Sequence, residues 1–230
     1  MKPLWLIVTA AGSGTRMGAA VPKQFLFLEG KAILQRTIER FVEAVPGVKV
    51  VTVLPKEHIP YWKKYCLERS FTIPQVIVAG GITRFHSVRN ALERVPDGAV
   101  VAVHDGVRPF VSAALVRSMA ETMQSCRALV PVLPSTDTLK ALSAGPDGVL
   151  ATIPGRVLDR SEVYGAQTPQ MFLSEELKAA YSQAFDTSFT DDASVAERCG
   201  IPLSWCEGER LNIKITRPED LLLARAILSL

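Results

Sequence analysis

The stretch VTAAGSGTRMGAAVPKQF, residues 8–25, ends an apolar run in glycines and then supplies two cations, Arg16 and Lys23. Glycines let backbone N–H groups come close to an anion, and a helix start or backbone nest can then hold it. Two familiar phosphate loops do not fit. The dinucleotide fingerprint G-x-G-x-x-G finds Gly12 and Gly14, but its third position is Met17, and Gly18 comes one residue late. The Walker pattern G-x-x-x-x-G-K-[ST] is absent too. A tight turn with two solvated cations is the plain alternative. Cations at both positions favour a phosphate site.

Other segments repeat the theme. VAGGITRFHSV (78–88) has Gly80 and Gly81 in a turn, followed by Arg84 and Ser87 on the first turn of a helix. VHDGVRPFV (103–111) puts Asp105 at the carboxyl end of an apolar run. A carboxylate there suits a hydrated Mg²⁺, a ribose hydroxyl or an ordinary turn cap. Gly106 and Arg108-Pro109 fix the turn. Three distal pieces set cations and hydroxyls beside strand ends: Thr138 with Lys140, Asp159-Arg160 through GAQTPQ (165–170), and NIKITRPED (212–220). The plain readings of these are an exposed strand pair, a turn, and a strand entering a helix. His104 is read as packed or locally hydrogen-bonded rather than catalytic, and His58 and His86 lack recognisable partners.

The elements that must position these residues alternate along the chain. Apolar strands are expected at 4–8, 49–54, 74–80, 99–105 and 128–133. Helices are expected at 33–45, 59–68, 83–95 and 112–125; in the first, Ile33, Leu34, Ile38, Phe41, Val42 and Val45 share one face. Strands apolar throughout are buried on both faces, as in a parallel sheet covered by helices. The order predicts a doubly wound, mostly parallel α/β fold of Rossmann-like type, with ligand beyond the carboxyl ends of the strands. Residues 134–168 break the pattern and predict a hairpin turning at Gly145-Pro146-Asp147-Gly148. Such an arm, at about 134–160, leaves apolar surface for a second subunit to cover, so a homodimer is expected. Helices at 174–185, 191–199 and 218–229 and a strand near 203–206 complete one domain spanning 1–230.

Composition limits the function classes. The chain has 230 residues, 48% of them hydrophobic, enough for a substantial core. A formal charge of +3 without basic runs argues against nucleic acid as partner. Lys2 and the apolar run after it faintly resemble a signal peptide, but the run is short and passes straight into the glycine turn. We read it as the first buried strand of a cytoplasmic protein, and no stretch has the length of a membrane span. The four cysteines, Cys66, Cys126, Cys199 and Cys206, show neither zinc nor disulfide spacing and are read as reduced, partly buried thiols.

Taken in order, AAGSGTRMG with PKQF, GGITRFHS, VHDGVRPF, DTLK, LDR followed by GAQTPQMF, TDDAS and NIKIT-x-PED resemble the 2-C-methyl-D-erythritol 4-phosphate cytidylyltransferases of the nonmevalonate isoprenoid route. The resemblance runs over nearly the whole chain. It implies a nucleotidyltransferase in which a substrate phosphate attacks the α-phosphorus of CTP, with Mg²⁺ as cofactor. By motif, Arg16 and Lys23 would neutralise the transition state, and Ala10, Ala11, Gly12 and Gly14 would cradle the triphosphate. Gly81, Arg84 and Ser87 would face the cytidine, and Asp105 with Gly106 the nucleotide, Asp105 also the metal. Arg160 from the partner's arm and Lys214 would hold the methylerythritol phosphate, with Thr138 and Thr168 nearby. Ile82-Thr83 depart from the polar or acidic residues common in the family, which leaves base recognition to backbone groups. Arg156 competes with Arg160, whose spacing to Thr168 matches the family; Leu211 stands where some relatives have an acid. The alternatives are a ribitol-5-phosphate cytidylyltransferase, a nicotinamide-dependent oxidoreductase, for which Glu29 is suitably spaced but a glycine is missing, and a catalytically silent nucleotide-binding protein.

Overall fold

The structure is a computed structural model that describes residues 2–12 and 21–230. Gly14 and Arg16 lie outside the described residues. An eight-stranded mixed sheet forms the centre. Its parallel part is β1 (Leu4–Thr9), β4 (Lys49–Leu54), β5 (Gln75–Ala79) and β6 (Val100–Asp105), in the order β6–β1–β4–β5. A small ribbon of β2 (Phe27–Leu28) and β3 (Lys31–Ala32) precedes α1 (Ile33–Ala44). Apolar residues face both ways along β1. Leu6 and Val8 pack toward α1, α2 (Ile59–Glu68) and α4 (Ala113–Thr122), whereas Ile7 packs toward α3 (Arg84–Leu92) and the C-terminal helices. Every β6 residue is buried. These runs therefore make a covered parallel sheet, as their unbroken apolarity predicts.

The far half of the sheet departs from expectation. β7 (Ala128–Pro134) leads into the arm, where β8 (Leu142–Ala144) and β9 (Leu150–Thr152) form the expected hairpin about Gly145–Gly148. The expected hairpin does not extend to residue 168. GAQTPQ instead returns to the sheet as β10 (Tyr164–Ala166) and the start of β11 (Gln170–Leu173), both antiparallel to β7. β11 also pairs antiparallel with β6, filling the gap between two strands of the same direction. Helices α5 (Ser174–Tyr181) and α6 (Asp192–Arg198), β12 (Ser204–Glu207) beside β7, and α7 (Pro218–Leu228) follow.

Helices α3, α4 and α5 stop earlier than their periodicity suggested. After each, amides bond to carbonyls three residues back, as at Val95 to Leu92 and Gln183 to Ala180, so the last turn tightens out of α geometry. NIKIT (212–216) is not a strand; Ile215 makes one backbone bond, to the Val107 carbonyl, which ties the segment to the turn after β6. Among the cysteines, Cys199 is exposed and the other three are half-buried. No described helix is long and apolar enough to cross a membrane.

Candidate active site

The loops after β1, β5 and β6 converge on a cavity of about 480 Å³ at the carboxyl end of the parallel strands. Among the described residues, its walls carry three cations, Lys23, Arg84 and Lys214, against one carboxylate, Asp105. A larger groove of about 650 Å³ lies between α1 and the C-terminal end of the chain. There Arg36 donates to the Leu28 and Glu29 carbonyls, Arg40 pairs with Glu43, and Glu209 accepts from the Ser112 amide at the start of α4. Those charges are satisfied structurally, and the sequence-predicted site residues that line a cavity line the smaller one.

The first loop is fixed from below. Ala10 donates its amide to Val53 (2.9 Å), and its carbonyl accepts from Gln24 Nε2 at 2.7 Å. Gln24 is almost fully buried and sits in a 3-10 turn, Lys23–Phe25, anchored by the Phe25 ring against His58, Tyr61 and Trp62. This turn brings Lys23 to the cavity, where Nζ donates to the Ile215 carbonyl at 3.0 Å. Gln24 and its aromatic anchor carried no signal beyond the PKQF motif itself.

In the second loop, a side chain at Gly81 would put its Cβ 2.4 Å from that of His86, so the position requires glycine. The Gly81 amide donates to Ser87 Oγ at 3.1 Å, and that hydroxyl donates to the Thr83 carbonyl. Thr83 caps α3, whose positive end opens on the cavity and starts with Arg84. Ile82 projects at the rim and is 95% exposed. Ser87 is buried, so it shapes the loop from within.

Asp105 is the centre of charge. Lys214 Nζ lies 2.9 Å from its carboxylate, Arg108 Nε 3.4 Å and Arg84 Nε 4.0 Å. Burial would raise its pKa, but Arg84, Lys214 and Arg108 outweigh this and hold the carboxyl well below the usual range. Arg108, expected only to shape the turn, also donates to the Asn212 carbonyl at 2.7 Å and so draws the NIKIT segment to β6. Arg84 in turn is gripped by Asp192 at 3.0 and 2.5 Å, and Tyr181 donates to the same carboxylate at 2.6 Å. Burial works against the Arg84 charge; Asp192 more than reverses that and keeps the guanidinium protonated. Asp192 is fully buried at the start of α6, and its motif, TDDAS, carries no local signal of this long-range pairing.

Several expected site residues stand elsewhere. Thr168 does not line the cavity; it lies buried beneath Asp105, accepting from the Asp105 amide at 3.1 Å. Gly106 is a packing position, since a Cβ there would come 3.0 Å from that of Ala10 and 3.1 Å from Leu34. Thr138 and Arg160 lie on the arm, exposed and away from the cavity wall of their own chain; Arg160 donates to the Thr136 carbonyl. His104 is locally bonded as expected, and burial lowers its pKa to about 4.

A metal could be held only in part by the protein. The described residues contain no cluster of three or more acidic, histidine or cysteine ligands, and among them Asp105 is the only carboxylate on the cavity wall. Mg²⁺ commonly takes one or two carboxylates and completes its shell with substrate phosphates and water. The donor set thus fits a Mg²⁺ that arrives with a nucleotide.

The chain is similar to known proteins over nearly its whole length. The family model for IspD, 2-C-methyl-D-erythritol 4-phosphate cytidylyltransferase, matches residues 4–230. The enzyme of that name from Bacteroides thetaiotaomicron is 43% identical over 224 residues, covering 97% of this chain and 98% of its own. Its counterpart from Porphyromonas gingivalis is 43% identical over 226 residues, 98% of this chain and 97% of that one. The crystal structure of 2-C-methyl-D-erythritol 4-phosphate cytidylyltransferase from Thermus thermophilus aligns over 100% of both chains, with a TM-score of 0.75 and 33% identity. With that coverage and the converging loops, the chain belongs to the 2-C-methyl-D-erythritol 4-phosphate cytidylyltransferase family.

Proposed function

We infer that the Asp105 cavity is where this chain carries out the reaction of its family, cytidylyl transfer from CTP to 2-C-methyl-D-erythritol 4-phosphate in isoprenoid biosynthesis. The supporting observation is the cavity's excess of cations over carboxylates at the carboxyl end of a parallel sheet. An oxygen of the acceptor's phosphate attacks the α-phosphorus of CTP. The bond from that phosphorus to the oxygen bridging to the β-phosphate breaks, and pyrophosphate leaves. The protein's part is positioning and neutralising charge. Lys23 faces the phosphates from the first loop, and Arg16 is assigned beside it by motif. Ala10, Ala11 and Gly12 offer backbone to the triphosphate, and Gly81 offers backbone to the base. Asp105 holds Lys214 toward the acceptor phosphate and would ligate Mg²⁺, which when bound neutralises phosphate oxygens.

Kinetics tests the location. Lys214→Met is expected to raise KM for 2-C-methyl-D-erythritol 4-phosphate about 10-fold at saturating CTP and Mg²⁺, since it removes the cation that Asp105 holds toward the acceptor phosphate. An unchanged KM would place the acceptor elsewhere.

The homodimer belongs to this proposal. The arm exposes Val149, Leu150 and Val157, and Arg160 lies outside its own chain's cavity, so a partner's arm would bring Arg160 and Thr138 to the acceptor. Mixing an Arg16-defective protein with an Arg160-defective one is expected to regain partial activity. Proven subunit exchange without regained activity would contradict a shared site. A cytoplasmic setting accords with the same reading. Neither the ribitol phosphate nor the nicotinamide alternative gains an observation.

A further inference from the structure

The turn that carries Asp105 is held by a buried histidine whose hydrogen-bond directions can be worked out atom by atom. His104 Nε2 lies 3.0 Å from the Arg108 carbonyl oxygen. A carbonyl only accepts, so Nε2 carries the proton. In a neutral ring Nδ1 is then bare and accepts, and the atom facing it is Thr168 Oγ1 at 3.0 Å. Thr168 therefore donates to His104, while its oxygen accepts from the Asp105 amide at 3.1 Å. The ring is fully buried and edge-on to Phe41, 4.8 Å between centroids, so it has little room to turn. The charged groups facing it are Asp105 and Arg108, both on its own turn; the segment before β11 presents Thr168, with its hydroxyl and its backbone.

We propose that His104 is a positioning residue for nucleotidyl transfer, its two ring nitrogens clamping both ends of the Asp105–Arg108 turn. One end is held directly at the Arg108 carbonyl, the other through Thr168 at the Asp105 amide. The clamp spans the residues that organise the site's cations: Asp105, which meets Lys214 and faces Arg84, and Arg108, which draws in Asn212. It also gives the buried threonine a use: Thr168 holds the Asp105 backbone amide from beneath. The inference rests on the reading of the Asp105 cavity as the CTP site.

Two measurements test it. Long-range ¹H–¹⁵N spectra of histidine-labelled protein at pH 7.5 are expected to give His104 a protonated Nε2 and a bare Nδ1, with the Nδ1 resonance moving in Thr168→Val. A protonated Nδ1, or no response to Thr168→Val, would overturn the clamp. In kinetics, Thr168→Val is expected to lower kcat/KM about 10-fold, and Thr168→Ser, which keeps the hydroxyl, to restore it to within about 2-fold, both proteins being folded by circular dichroism. A folded Thr168→Val with wild-type kcat/KM would overturn the positioning role. The spectra need no substrate, and the wild type's activity with CTP tests the cavity's assignment alone, so the two readings stand or fall separately.

Discussion

Lys23→Ala is expected to lower kcat by about 100- to 1,000-fold, the usual cost of removing one group that stabilises developing charge in the transition state. CTP affinity should change by less than about 5-fold. The asymmetry follows from where the charge is needed. On this assignment the triphosphate would keep other ground-state partners, namely the backbone of the first loop and the positive end of α3, which line the same cavity. As the acceptor oxygen approaches, negative charge builds on the α-phosphoryl oxygens, and a cation delivered by the Lys23–Phe25 turn meets it. The rigidity of that turn matters, because Phe25 and Gln24 fix it between the aromatic cluster and the Ala10 carbonyl. Stopped-flow turnover beside equilibrium CTP titration separates the two quantities. Equal losses in both would make Lys23 a binding residue and remove it from the transition state.

Asp192→Asn is expected to cost about 3 kcal/mol of folding stability, although Asp192 does not line the cavity. The substitution keeps the shape and a partner for Tyr181, but it leaves the Arg84 guanidinium without the carboxylate that grips it at two points. Removing one member of a buried ion pair costs about 3–5 kcal/mol. The lower end applies because Arg84 keeps a solvent-facing edge and has Asp105 at 4.0 Å as a second neighbour. Urea unfolding with an unchanged m-value measures it. A loss below about 1 kcal/mol would mean that Asp105 takes over the pairing, and the Asp105–Lys214 contact would then be the one disturbed.

The near half of the fold was legible because its rules are local. The unbroken apolar strands β1, β5 and β6 end in glycine or aspartate turns, and a parallel sheet puts those turns at one edge, so the loops containing Gly12, Gly81 and Asp105 had to meet. The far half depended on pairing that periodicity does not encode. Gln170–Leu173 is four residues following a proline, too short to announce a strand, and only the space between β6 and β7 makes it one. The same limit hid Asp192. It meets Arg84 across 108 positions of sequence, and a helix-capping Asp191 beside it offered a sufficient local reason for the acidic pair. Thr168 is instructive in another way. Its spacing from Arg160 was informative, but spacing says that a residue belongs to a site and not which side of the site it faces.

Pyrophosphate release, followed with each of the four ribonucleoside triphosphates, Mg²⁺, and either 2-C-methyl-D-erythritol 4-phosphate or ribitol 5-phosphate, tests the central claim most directly. Release is expected with CTP and the methylerythritol phosphate, with the other combinations at least about 10-fold slower. Absence of release from CTP with either acceptor would contradict cytidylyl transfer by this chain.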